Sequence, residues 1–138
     1  MSIVKEFNNF NELIKSIDES ITATRQQLAE FLRRLEDIKV KSEQDRKLKE
    51  LLKRLTGEEI AAAGKVVDLK DVKLFINPDS MQEAKILEEI VDKLNRSLQV
   101  LQSVRKLLEP LMGLEIEAKI TVLYSEGVPT SILIKFVG

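Results

Sequence analysis

The sequence predicts an α+β fold in which two long helices accompany a small antiparallel sheet of about three strands. Three patterns carry this prediction. Apolar residues recur every three or four positions between Phe7 and Ile38, as in a heptad helix. A broader stripe with the same period extends from Ile86 to Leu111. Near the C-terminus the period changes to two over residues 114–124 and 130–137, which predicts a β-hairpin.

The first helix carries a narrow apolar seam along one face. Nine of its ten heptad positions are large and apolar, and the tenth is Thr24. A single polar residue at such a position can fix helix register or oligomer number. The nine apolar seam residues are Phe7, Phe10, Ile14, Ile17, Ile21, Leu28, Phe31, Leu35 and Ile38.

Length makes this seam informative. At 1.5 Å per residue, the helix over residues 7–38 would be about 48 Å long, whereas a compact domain of this chain length is only roughly 36 Å across. Two interpretations follow. The seam either pairs internally with the second long helix in a coiled-coil-like hairpin, or it is a surface for self-association, with a homodimer favoured. A further protein partner is compatible with the second interpretation.

The seam changes near residue 42, where a break in the first helix is predicted. Heptad spacing requires apolar residues where the chain has Ser42, Asp45 and Lys49, and leucines resume on another frame from Leu48. Ser42 with Asp45 is suited to cap a new helix, or one helix continues with a shifted seam. Gly57 ends the helix in either case. We expect one elongated domain, with a helical arm over 1–56 and a strand–helix–hairpin unit over 57–138.

The middle of the chain predicts strands followed by the second helix. Residues 56–65 suggest a turn followed by one helical turn or a loop. Residues 65–76 alternate with a change of parity at Lys70-Asp71, which indicates a bulged strand or two short strands joined by a turn. We expect this segment to supply the third strand of the sheet. Ser80 with Glu83 matches a capping box, and Pro110 and Gly113 end the second helix.

The C-terminal hairpin has one distinctive strand. Apolar and charged residues alternate over 114–122, as in a strand with one buried and one solvated face. By contrast, Ile132, Leu133 and Ile134 are consecutive. This run predicts that the last strand either pairs centrally or lies at a subunit contact.

Composition excludes several kinds of site. With no Cys and no His, the chain can form no disulfide, thiolate nucleophile, Cys/His zinc site or imidazole acid–base pair. We expect no catalysis, cofactor or metal. Dense charge of both signs is compatible with a thermophilic source. Without a visible signal sequence or an apolar run of membrane-spanning length, a soluble cytoplasmic protein is expected.

A basic segment over residues 39–54 is the basis of the alternative function, nucleic-acid binding. It holds seven basic and three acidic residues in a chain whose net charge is −1. Interleaved Glu43, Asp45 and Glu50 at helical spacing favour a solvated helix face instead. The candidate phosphate contacts are Lys39, Lys41, Arg46, Lys47, Lys49, Lys53 and Arg54.

Long helices flanking short strands resemble the architecture of prefoldin-type chaperone subunits. In those subunits the strands lie between two coiled-coil helices, whereas here a terminal hairpin follows the second helix. This resemblance concerns architecture, and architecture does not carry function. The function expected from the seam is that of a non-catalytic, self-associating interaction or scaffold protein.

Overall fold

The computed structural model describes residues 3–57 and 65–137, and it confirms the α+β class. Residues 58–64, on which most of the predicted connection after the first helix falls, lie outside the described residues. In chain order the elements are β1 (Val4–Phe7), α1 (Phe10–Thr56), β2 (Lys65–Leu69), β3 (Val72–Ile76), α2 (Ser80–Leu108), a 3₁₀ turn (Glu109–Leu111), β4 (Ala118–Ser125) and β5 (Val128–Phe136).

The chain forms two compact units. Unit 1 comprises Met1–Leu28 and Lys93–Gly138, and unit 2 comprises Ala29–Asp92. The first part of α1 and the last part of α2 therefore belong to unit 1, together with strands β1, β4 and β5. Unit 2 holds the remainder of both helices and the β2–β3 hairpin.

Unit 1 contains an antiparallel three-stranded sheet in the order β1-β4-β5. The predicted C-terminal hairpin is present, but its third strand is β1, which pairs Val4 with Leu123 and Phe7 with Ile120. The segment expected to supply the third strand, residues 65–76, instead forms the separate β2–β3 hairpin. Pairing with both β1 and β5 places β4 in the centre of the sheet and leaves β5 at its edge.

The core of unit 1 lies where α1 and α2 pack on one face of this sheet. From the sheet, Ala118, Ile120 and Val122 point inward and are buried, as the alternation predicts. The C-terminal part of α2 contributes Leu101 and Leu108, and the start of α1 contributes Phe10, Leu13, Ile14, Ile17 and Ile21.

Helix α1 begins at an asparagine cap and continues without a break. The Asn9 side chain accepts a hydrogen bond from the Glu12 backbone N–H at 2.8 Å, which satisfies one of the free donors of the first turn. The break predicted near residue 42 is absent. No Gly or Pro lies nearby, and Ser42 and Asp45 are half-buried, because this face of α1 contacts the polar start of α2.

The ends of both helices follow local capping rules. Gly57, with a φ of 73°, ends α1, and its N–H bonds to the Lys53 carbonyl. Helix α2 has a capping box one residue earlier than predicted. The Asp79 carboxylate accepts from the Gln82 N–H at 2.8 Å, and the Gln82 side chain accepts from the Asp79 N–H at 3.1 Å. The Ser80 hydroxyl is thereby left to bond outside its own helix.

Candidate self-association surface

The chain's own elements cover the first half of the seam. Phe10, Ile14, Ile17 and Ile21 are all at most 7% exposed and belong to the core of unit 1. Phe7 lies in β1 and packs against the same core. Thr24 directs its hydroxyl to the Ser20 carbonyl at 2.8 Å, so it is satisfied within its own helix turn.

The second half of the seam is covered to a lesser degree. Leu35 is buried, whereas Leu28, Phe31 and Ile38 are half-buried. Beyond Ile38 the residues at the heptad positions become polar, but they remain half-buried. These residues are Ser42, Asp45 and Lys49. The seam therefore continues as a polar contact rather than ending.

Polar contacts join α1 to α2 within each unit. In unit 1, the Arg105 guanidinium donates to the Asp18 carboxylate at 2.8 Å. In unit 2, the buried Ser80 hydroxyl donates to Asp45 at 2.7 Å, and Lys39 lies 3.4 Å from Glu88. In unit 1 an early residue of α1 thus meets a late residue of α2, and in unit 2 later residues of α1 meet early residues of α2, as expected of an internal antiparallel helix pair. Whether the seam also serves assembly stays a prediction.

The basic segment of α1 is partly neutralised. The Arg46 guanidinium bonds Glu43 at 2.6 Å and Glu50 at 3.2 Å, and the hydrogen bond and charge of Arg46 lower the pKa of Glu43. Lys39 faces Glu88. Lys41, Lys47 and Arg54 are exposed, as a solvated face requires. Three acidic partners reduce the charge available to phosphates, and nucleic-acid contact stays a prediction.

The β2–β3 hairpin presents a face that is apolar apart from Lys65, which pairs with Ile76 at the end away from the turn. Its register pairs Val67 with Leu74 and Leu69 with Val72, and residues opposite one another share a face. We call the set Val67, Leu69, Val72, Leu74 and Ile76 the hairpin face. Leu69 and Val72 are 58% and 63% exposed, and Leu74 and Ile76 are also exposed.

The opposite face of the hairpin is mixed. It carries Asp68 opposite Lys73 and Val66 opposite Phe75. The turn places Lys70 at a φ of 66°, a left-handed conformation, and the Asp68 carboxylate accepts from the Lys70 N–H. The turn chemistry therefore sets the register that gathers the apolar residues on one side.

A second exposed apolar surface lies on α1 in unit 2. Val40, Leu48, Leu51 and Leu55 are each more than half exposed. At 100° per residue they lie on the side of α1 away from Ser42, Asp45 and Lys49. We call these four residues the helix stripe. It explains why the leucines after residue 48 follow a different frame from the seam.

The exposure of the hairpin face was not predicted from the sequence. The alternation over 65–76 was visible, and of the two alternatives the pair of strands joined at Lys70-Asp71 is present. The exposure of the hairpin face was not visible, because periodicity shows which residues share a face but not whether another element covers it. The expectation that residues 65–76 join the sheet of the C-terminal hairpin gave no reason to predict an exposed face.

The described residues form open grooves on the surface. A groove of about 590 Å³ runs along α1 between Asn11 and Gln26, beside Met112. Another, of about 620 Å³, lies around Glu115 and Glu117, which precede β4 rather than belonging to it as predicted. Within residues 3–57 and 65–137, no three acidic side chains cluster as metal ligands do.

Neither helix, over the part of the chain that the structure describes, is long and apolar enough to cross a membrane. Comparison with protein-family models, with curated proteins and with solved structures finds no match to this chain.

Proposed function

We propose that this chain is a non-catalytic, self-associating interaction protein that assembles with a second copy of itself through the hairpin face. One observation carries the proposal: a two-stranded hairpin has an apolar face on which four of the five residues are exposed. Two strands alone are marginally stable in water, and they become stable when their apolar face packs against another layer.

A second copy is the occupant that best fits this face. The five residues of the hairpin face are all apolar, and the charged residues of the hairpin lie on the opposite face, at the turn, and at the strand end where Lys65 pairs with Ile76. Two such faces related by a two-fold axis pack like the two layers of a β-sandwich, about 10 Å apart. A two-fold contact uses the same patch twice, so it requires no second sequence.

The expected affinity is modest. Covering the exposed remainder of Leu69, Val72, Leu74 and Ile76 contributes roughly 1 kcal/mol per side chain, or roughly 8 kcal/mol over two copies. Association costs about 4–15 kcal/mol in lost translational and rotational freedom. The two terms nearly cancel, and we therefore expect a dimer that dissociates on dilution.

The test is light scattering on a size-exclusion column over a concentration series. The wild-type mass should rise towards twice the monomer mass with concentration. Val72→Thr with Leu74→Thr keeps strand-forming side chains but adds hydroxyls to the hairpin face, and it should weaken association by about tenfold or more. Val66→Thr makes the Val→Thr change on the opposite face and should associate as wild type.

Two results would contradict the proposal. One is a wild-type chain that stays monomeric at every concentration. The other is a double variant that associates as tightly as wild type while Val66→Thr does the same. Far-ultraviolet circular dichroism of each variant checks that the helices are retained.

A further inference from the structure

We infer that β5 is a second self-association element, at which two copies pair antiparallel, edge to edge, and join their sheets into one. This inference rests on the proposed self-association for the identity of the partner. It uses a different surface, however, in unit 1 rather than unit 2, and it depends on different observations.

The first observation is the direction of the backbone groups of β5. The Tyr124 N–H bonds to the Ile3 carbonyl, so the even-numbered residues of β4 hydrogen-bond to β1. The odd-numbered residues bond to β5, in agreement with the bond from the Val137 N–H to the Glu117 carbonyl. By alternation, Ile132, Ile134 and Phe136 direct their own N–H and C=O groups away from β4, towards the open edge.

The second observation is that the edge carries few features that discourage pairing. Natural edge strands are commonly short, charged or interrupted by proline. Strand β5 has nine residues. Its proline, Pro129, lies near the strand start and is buried, and Lys135 is its only charged residue.

The third observation is apolar surface beside the edge. Ile132, Ile134 and Phe136 lie on the same sheet face as the buried residues Val122, Ile120 and Ala118, their register partners on β4. Exposure rises along the strand, from half-buried Ile132 to 38% at Ile134 and 64% at Phe136. The sheet thus extends beyond the core that covers it.

These features select one register. If the core-facing side chains of both copies are to lie on one face of the joined sheet, the two-fold axis must be perpendicular to the sheet. One residue of β5 then lies opposite the same residue of the other copy. An axis at Ile134 sets Ile134 opposite itself and Ile132 opposite Phe136 of the other copy, so the core-face pairs within residues 132–136 are apolar. An axis at Leu133 would set Phe136 opposite Thr130. An axis at either residue makes the even-numbered residues the hydrogen-bonded pairs, and the axis at Ile134 makes Ile134 and its own copy such a pair, which exchanges two backbone bonds.

A cysteine cross-link tests this register directly, because the chain has no natural cysteine. At a hydrogen-bonded antiparallel pair the two Cα atoms lie about 5.5 Å apart, which suits a disulfide. Ile134→Cys should therefore form a covalent dimer under mild oxidation. Leu133→Cys is the matched control: its side chain is more exposed, at 54%, but it faces Lys135 of the other copy.

We expect Ile134→Cys to cross-link about tenfold faster than Leu133→Cys, since only the first pair has disulfide geometry. Equal rates would indicate random collision and overturn the register. No cross-link at Ile134→Cys would overturn the pairing itself.

A second measurement separates this contact from the hairpin contact. In the Val72→Thr/Leu74→Thr background, any remaining dimer should disappear when Ile134→Pro is added. Proline at this position removes an N–H that faces the open edge and leaves the bonds to β4 in place. If that background still dimerises and Ile134→Pro changes nothing, the β5 inference fails. If wild type and background associate equally while Ile134→Cys cross-links, the hairpin proposal fails and the β5 inference stands.

Discussion

Leu13→Ala is expected to destabilise unit 1 by about 3 kcal/mol, within the range typical of buried Leu→Ala changes. Leu13 is 0% exposed and lies in the core formed by α1, α2 and the sheet. The substitution removes well-packed atoms and leaves a cavity, because surrounding side chains relax only in part. For a chain of this length, that loss corresponds to a fall in melting temperature of about 10 °C.

Leu107→Ala is the matched control. Leu107 lies in α2 and is 72% exposed. Truncating it removes little buried surface, and alanine is a slightly better helix former than leucine. The expected change in unfolding free energy is within about 0.5 kcal/mol of zero.

The assay is urea unfolding followed by circular dichroism, at a concentration where the protein is monomeric. Hydrogen exchange of the β4 amides adds a readout local to unit 1. The reasoning would be refuted if Leu13→Ala and Leu107→Ala shifted the midpoint equally. It would also be refuted if Leu13→Ala lowered the urea midpoint only at concentrations where the protein associates, because Leu13 would then be buried by another copy.

Two further predictions concern named contacts. Ser80→Ala removes the Ser80–Asp45 hydrogen bond and should lower the free energy of unfolding by about 1–2 kcal/mol, because a half-buried carboxylate loses a donor. A double-mutant cycle with Asp45→Ala should show coupling between the two residues, and strictly additive effects would contradict this prediction. Burial raises the pKa of Tyr124, with a smaller opposing effect from its hydrogen bond to Ser16. Its stabilising contribution is complete below the unfolded-state pKa of about 10 and is lost as pH rises through the folded pKa. Above that pH, the urea midpoint of wild type should therefore fall more steeply with pH than the midpoint of Tyr124→Phe. Tyr124 is the only tyrosine in the chain, so phenolate absorbance should appear at a higher pH in the folded protein than in the unfolded protein.

Local patterns predicted most elements of the fold. The helical periods located both helices, and the alternation over 118–122 identified the buried face of β4. The glycine after Thr56 marked the end of α1, and the turn before β5 is built on Glu126-Gly127, both with positive φ. These features depend on residues close in sequence, so a single chain read in order reveals them.

Long-range pairing was not predictable in the same way. Strand β1 has only four residues and no clear alternation, and it is a strand because β4 lies beside it. Leu13 lies off the heptad seam but is fully buried, because α1 packs on both a helix and a sheet and so needs a wider apolar face. Both cases depend on which other element packs against a residue, and the period of a sequence pattern does not predict this.

The same distinction accounts for the candidate surfaces. The seam was the strongest pattern in the sequence, yet in unit 1 the chain itself covers it, whereas the weaker pattern over 65–76 remains exposed. A strong apolar pattern in one chain indicates a surface that must be covered, and only the fold shows whether that cover is internal.

The two proposed contacts have a joint consequence for assembly. Each is isologous, meaning that a patch meets its own copy, and a single isologous contact closes as a dimer. The hairpin face belongs to unit 2 and β5 belongs to unit 1, so one chain can engage a different neighbour through each. Copies joined alternately by the two contacts form either a closed ring, of which a tetramer is the smallest, or an open chain, according to whether the two axes allow closure. Two weak contacts in a closed ring reinforce each other through effective concentration, which is how modest apolar surfaces can hold a stable scaffold.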